Sequence, residues 1–149
     1  MKSVCVYCGS NEGRLPVYAG AARALGKALV ERGLGLVYGG ASVGIMGVLA
    51  DTVLGLGGRV TGVMPEAIVR KEVAHRGLTE LHVTSSMHER KMLMAELSDA
   101  FLDHTVAERF VKEANRSMLI VSDDPADLLD RFAVYRPPAV EKWIRKGET

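Results

Sequence analysis

At 149 residues, with 48% hydrophobic and 25% charged side chains, the chain is long enough to enclose one sizeable core. A net charge of +1 offers no field that would gather nucleic acid or an anionic membrane surface, and 5% aromatic residues argue against a base-stacking platform. No apolar run approaches the ~20 residues that span a bilayer, so the expectation is a cytoplasmic protein forming a single domain over residues 1–149.

In chain order, Lys2 to Cys8 reads as a first strand, its apolar run being too short for a signal-peptide core. Cys5 and Cys8 frame a Cys-x-x-Cys, but a redox pair of that spacing normally opens a helix. Along a strand, a spacing of three sends them to opposite faces, as buried or half-buried thiols. Gly9 to Arg14 is rich in turn formers. A helix follows from Pro16 to about Arg32, with Ala21, Ala24, Leu25, Ala28 and Leu29 at helical spacing and Gly33 as its C′ residue. Leu34 to Tyr38 is a second strand, Gly44 to Leu56 a second helix ended by Gly57-Gly58, and Arg59 to Val63 a third strand closed by Met64-Pro65. Glu66 to Gly77 is charged and irregular, and Glu80 to Thr84 is a fourth strand.

Ser85-Ser86 offers an N-cap for a helix from Met87 to Leu97. By periodicity alone that helix could run on to Ala114, carried by Met94, Leu97, Phe101, Val106 and Phe110. Met118 to Val121 is a further strand, and Ser122 to Pro125 cap a last helix through Phe132. The tail from Arg136 is peripheral, with Trp143 as a candidate anchor.

Strands alternating with helices imply an α/β fold, a parallel sheet between helices, with ligands at the carboxyl ends of the strands. Three loops then share one edge: Gly9–Arg14, Gly39–Gly47 and Ser85–Lys91. The second carries Gly39, Gly40, Gly44 and Gly47 between a strand and a helix, where outward-pointing N–H groups and the helix dipole favour a phosphate. The other reading is a tight turn whose glycines serve packing alone. Three residues separate Gly40 from Gly44, unlike a dinucleotide fingerprint, and Gly47-Val48 lacks the Lys-Ser/Thr of a P-loop.

In the third loop, Arg90 and Lys91 oppose the dipole of their own helix unless an anion compensates. The planar guanidinium of Arg90 suits a phosphate or a leaving group, whereas Lys91 is equally well read as a solvated charge. Met92 and Met94 read as core packing. His75, His82, His88 and His104 share no ligand spacing with one another or with the cysteines, so no metal is expected.

Val4-Cys5-Val6-Tyr7-Cys8-Gly9-Ser10, Val37-Tyr38-Gly39-Gly40 with Val43-Gly44-Ile45-Met46-Gly47, and Met87-His88-Glu89-Arg90-Lys91 together resemble the LOG (Lonely Guy) family. Ala95 to Phe101, Leu102-Asp103-His104, and Asp124-Pro125 with Leu128-Leu129 extend the likeness over nearly all of the chain. These are cytokinin riboside 5′-monophosphate phosphoribohydrolases, many once labelled lysine decarboxylases. The resemblance implies a Rossmann-like three-layer fold, usually homodimeric. It implies cleavage of the N-glycosidic bond of a nucleoside 5′-monophosphate to free base and ribose 5-phosphate, without metal or redox cofactor. It assigns substrate contact and catalysis to Arg90, nucleotide binding to Gly9, Ser10, Gly39, Gly40, Gly44, Met46 and Gly47, and pocket lining to Met87 and Lys91.

One departure stands out. The family's Pro-Gly-Gly-x-Gly-Thr segment and the glutamate beyond it should follow Ser98-Asp99-Ala100-Phe101, but Phe101 runs directly into Leu102. About one strand–helix–strand unit, on the order of 30 residues, is missing. Residues dropped from the sequence would leave Phe101 and Leu102 far apart, and that break is the expectation; a continuous peptide would mark a deletion form. Without the glutamate, the rival reading is a non-catalytic nucleotide-binding module of the same fold. Lysine decarboxylation is a poor third, because Lys91 lacks the surroundings of a pyridoxal phosphate site.

Overall fold

A computed structural model describes residues 1–11, 16–70, 73–103, 122 and 124–136. Among the described residues, five strands form one parallel sheet: β1 (Ser3–Tyr7), β2 (Gly35–Tyr38), β3 (Val60–Pro65), β4 (Glu80–Thr84) and β5 (Ala100–Asp103), in the spatial order β4-β3-β2-β1-β5. The helices are α1 (Pro16–Glu31), α2 (Gly44–Gly55), α3 (Glu66–Val69), α4 (Met87–Glu96) and α5 (Pro125–Val134).

Alternation along the strands sets the layers. Val4, Val6, Leu36, Tyr38 and Val60 face one way and pack with Ala22, Leu25, Ala28 and Leu29 of α1, Leu49, Ala50 and Val53 of α2, and Leu129 of α5. Cys5, Val37 and Val63 face the other way and meet Met94 of α4, with Leu93, Leu97 and Tyr7 packed around them. Helices therefore cover both faces of a parallel sheet, the expected three-layer α/β architecture. Asp124 caps α5 by accepting the Ala126 N–H at 2.9 Å, with Pro125 in its first turn. Arg32 then ties α5 to the end of α1, donating to Asp130 through Nε at 2.9 Å and Nη2 at 2.8 Å and to the Ala126 carbonyl at 3.1 Å.

Most elements lie within two residues of their expected bounds, and Gly33 (φ 65°) does follow α1. β3 continues through Met64 and Pro65, which pair with Val83 and Thr84 at the strand's end, where proline's missing N–H is tolerated.

The larger correction lies after α4. The helix stops at Glu96, not Ala114, because the start of β1 captures the chain: Asp99 Oδ2 accepts the N–H groups of Lys2 (2.6 Å) and Ser3 (3.0 Å), and Ser3 Oγ donates to the Leu97 carbonyl at 2.7 Å. Ala100 to Asp103 then form β5, each residue paired with one of Val4 to Tyr7. Phe101 and Leu102 are consecutive residues of that strand, and Leu102 and Asp103 supply the length that Ala100-Phe101 lacks. The Phe101 ring stacks on Tyr7, centroids 6.4 Å apart. The expected strand at Met118–Val121 and the Trp143 anchor lie outside the described residues.

Candidate functional site at the carboxyl edge of the sheet

All three loops singled out by sequence leave the carboxyl ends of their strands, and the described parts of them interlock. The first two meet at Gly44. Its φ of 61° is left-handed, and a Cβ there would strike the Ser10 carbonyl and approach the Asn11 nitrogen to 2.6 Å. Met46 N–H donates to the Gly9 carbonyl at 3.3 Å and Ile45 N–H to that of Asn11 at 3.4 Å. These amides open α2, so its N-terminus does not present its first N–H groups unsatisfied to solvent, as the sequence suggested. Two of them hold the β1 loop. Gly47 packs against the Ser42 carbonyl just as closely, and Tyr38 OH, buried beneath, donates to the Ala41 carbonyl at 3.2 Å. Burial and the nearby Asp51 charge push the Tyr38 hydroxyl above its ordinary value, which keeps it a neutral donor.

The second and third loops meet at Gly39. A Cβ on Gly39 would lie 2.6 Å from Arg90 Nη2 and 3.0 Å from Met46 Sδ. The half-buried Arg90 is held there because its Nε donates to the carbonyl of Val63, two residues before the end of β3, at 2.9 Å. One guanidinium thus spans the ends of β2 and β3, a placement that depends on residue 39 having no side chain. Met87 at the head of α4 is 47% exposed, and Lys91 is exposed. Gly40 (φ 81°) turns its backbone toward Met64 and Leu81, whose side chains would lie 3.4 Å from a Cβ.

Carboxylates near this edge have structural work. Ser86 caps α4, accepting the Glu89 N–H at 3.1 Å, while Glu89 reaches back to Ser85 N–H (2.7 Å) and Oγ (2.6 Å). The Ser85 hydroxyl and N–H hold Glu89 below its ordinary value. Glu96 is exposed at the far end of the same helix. Of the cysteines, Cys5 is buried and Cys8 half-buried, and neither is in a disulfide; burial pushes the Cys8 thiol up to about 11.

Sequence reasoning missed two features. Val63, which anchors Arg90 through its carbonyl, carries no side-chain signal of that role. The segment from Val73 to Gly77, read as irregular, lies across the glycine turn. Ser42 N–H donates to the Val73 carbonyl at 2.9 Å, Ala41 bridges Ala74, and His75 N–H donates to the Gly40 carbonyl at 2.9 Å. Among the described residues no helix is long and apolar enough to cross a membrane.

A parallel sheet between helices, with a glycine turn and loops gathered at its carboxyl edge, defines the Rossmann-like α/β class. The molybdenum cofactor carrier protein of Chlamydomonas reinhardtii shares the fold, with a TM-score of 0.66 at 18% identity over 90% of this chain and 99% of that one. A family model described as a possible lysine decarboxylase matches residues 46–103. The chain is 47% identical over 141 residues to the cytokinin riboside 5′-monophosphate phosphoribohydrolase of Rhodococcoides fascians, covering 91% of this chain and 71% of that protein. It is 39% identical over 140 residues to the rice (Oryza sativa subsp. japonica) enzyme of that name, covering 91% of this chain and 58% of that one. The chain belongs to this LOG-type phosphoribohydrolase family.

It spans 58 to 67% of the length of several rice relatives. One further rice relative, described as a probable enzyme of the same name, is 29% identical over 180 residues. That alignment is longer than the 149-residue chain, so at least 31 of its positions (180 less 149) have no residue here.

Proposed function

We propose that this chain provides the nucleotide site of a hydrolase that cleaves the N-glycosidic bond of an adenosine-type or cytokinin riboside 5′-monophosphate. In the reaction the base leaves C1′ with the bonding electron pair and is protonated, water adds its oxygen at C1′, and ribose 5-phosphate results. The sugar passes through an oxocarbenium-like state, so the site must hold the 5′-phosphate, assist the departing base and stabilise positive charge. Arg90 contacts the substrate and assists the base. Gly9, Ser10, Gly39, Gly40, Gly44, Met46 and Gly47 shape the bed for the nucleotide, and Met87 and Lys91 line its rim. The observation that carries this reading is the Arg90 guanidinium, set over Gly39 by the Val63 carbonyl, in a chain 47% identical to a phosphoribohydrolase.

The carboxylate that would steady the cation or activate water is the remaining part. Glu89 is committed to capping α4, and the family's glutamate belongs to the segment expected between Phe101 and Leu102. The absence of that glutamate from the 149-residue chain is the ground for a second reading, a nucleotide-binding module. Incubation with AMP, with chromatography for adenine and a melting curve beside it, separates the two. Released adenine supports the hydrolase within these 149 residues. A rise in Tm with AMP and no adenine supports the binding module, and then insertion of the family segment after Phe101 is expected to confer base release. Neither adenine nor a shift would contradict both.

The same reading takes the protein as a cytoplasmic homodimer. Met94 of α4 is buried against the sheet while Met92 is 51% exposed, so the helix also carries an apolar side chain on its outer side. A two-fold partner on α4 would cover the outer side. Sedimentation at micromolar concentration should give a dimer; a monomer would remove this part of the proposal.

A further inference from the structure

We infer that His75, clamped between Asp51 and Gly77, is a positioning residue that holds the glycine turn in its nucleotide-binding shape; the inference rests on the nucleotide reading above. The chain leaves α3 and returns across the turn between β2 and α2. Two main-chain hydrogen bonds join the two, Ser42 N–H to the Val73 carbonyl and His75 N–H to the Gly40 carbonyl, and together they form the Ala41–Ala74 bridge. Ser42 Oγ adds a third link, donating to the Val73 carbonyl at 3.3 Å.

The His75 ring fixes where this strap lies. Gly77 N–H donates to Nδ1 at 3.0 Å, so Nδ1 carries no proton. The proton is therefore on Nε2, which donates to Asp51 Oδ1 at 2.8 Å. The neutral imidazole satisfies both neighbours at once, and each contact selects the same tautomer. The ring is well covered, its side chain 11% exposed, while Asp51 stands 71% exposed on α2. Asp51 lies on the very helix that the glycine turn opens. The clamp therefore joins the strap to the far side of the turn, closing a loop through Gly40, Ser42 and α2. A binding bed made of backbone has no side-chain rotamers to adjust, so its geometry depends on such fastening.

The test uses the full 149-residue chain with AMP as the probe, read by isothermal titration, together with amide hydrogen exchange. Asp51→Ala removes the acceptor from an exposed position. His75→Phe keeps a ring of similar size and loses both nitrogens' bonds. Asp51→Asn keeps an oxygen that accepts Nε2–H. We expect Asp51→Ala and His75→Phe to weaken AMP at least tenfold and Asp51→Asn to stay within threefold of the unaltered chain. The Ser42 and His75 amides should exchange at least tenfold faster in Asp51→Ala, with Leu36 and Val37 of β2 unchanged. Unaltered AMP affinity in His75→Phe, or unaltered exchange at Ser42 in Asp51→Ala, would overturn the inference. If the unaltered chain takes up no AMP while the exchange results come out as expected, the nucleotide reading falls and the fastening role of His75 stands.

Discussion

Among the described residues, three helices close over fourteen buried residues on one face of the sheet; on the other, α4 meets a cluster of four, and Met92 and Phe101 stay about half exposed. The first face is periodic and local. Its residues recur at the spacing of strands and helices, and each buried aliphatic side chain contributes about 1.5–3 kcal/mol of transfer free energy. The second face gives up that burial, and it carries Arg90. A side chain that must reach across two strand ends to a ligand cannot also be packed into a core. The larger buried core thus lies on one face and Arg90 on the other, with the glycine turn that opens α2 between them.

The contrast can be broken first by stability. Leu49→Ala, in the three-helix core at 1% exposure, should cost about 3 kcal/mol, within the usual range for a buried leucine. In a domain of this size that lowers Tm by roughly 6–12 °C. Met92→Ala, on the outer side of α4, should fall within about 0.5 kcal/mol of the unaltered chain at concentrations low enough to keep the protein monomeric. Equal losses measured by thermal or urea unfolding would remove the distinction between the faces.

Gly39→Ala sharpens it next. The added methyl would fall where Arg90 Nη2 and Met46 Sδ now lie. Since Nε is tied to the Val63 carbonyl, the guanidinium must leave its place. AMP affinity should fall at least tenfold, or about 1.4 kcal/mol, with a much smaller change in Tm. An alanine variant that binds normally would show that Arg90 needs no room at residue 39.

Acid should act on the ends of elements more than on either core. Ser85 holds Glu89 low, the Lys2 and Ser3 N–H groups hold Asp99 low, and Ser122 with Arg131 holds Asp127 low. A depressed carboxyl stabilises the fold fully above its unfolded value, 4.5 for Glu89 and 3.8 for the two aspartates, and that stability is lost as pH falls through the folded value. These three carboxyls should therefore leave Tm unmoved from pH 7 to 5 and lower it below about 4.5, less steeply in Asp99→Asn. A variant with the same acid slope would free Asp99 of this role. The smallest effect concerns Cys8: with its thiol pushed up to about 11, alkylation by iodoacetamide at pH 8 should be far slower than for an exposed cysteine, as mass spectrometry of the native protein would record.

What could be read from the sequence follows the same division. α1, α2 and the first two strands declare themselves because their partners are periodic and near in sequence. The Ser86 cap and the Gly39–Gly47 turn were legible as local chemistry. β5 was not: Ala100 to Asp103 become a strand only against β1, some 96 residues away by the Val4–Ala100 pairing. Nor was the strap, since His75 finds Asp51 across 24 residues with no repeating pattern to mark it. Arg90 was singled out by its charge at a helix start, yet its anchor is a backbone carbonyl, which sequence never distinguishes.

The central claim is that Arg90, at the carboxyl edge between β2 and β3, is the substrate contact of a nucleoside 5′-monophosphate site. Isothermal titration of AMP into the unaltered chain and into Arg90→Ala, with melting curves for both, tests it most directly. Saturable binding to the unaltered chain is expected, with a loss of at least tenfold in Arg90→Ala, because Lys91 lacks the planar fork to substitute, and with nearly equal melting temperatures. Equal AMP affinity in the two proteins would contradict it.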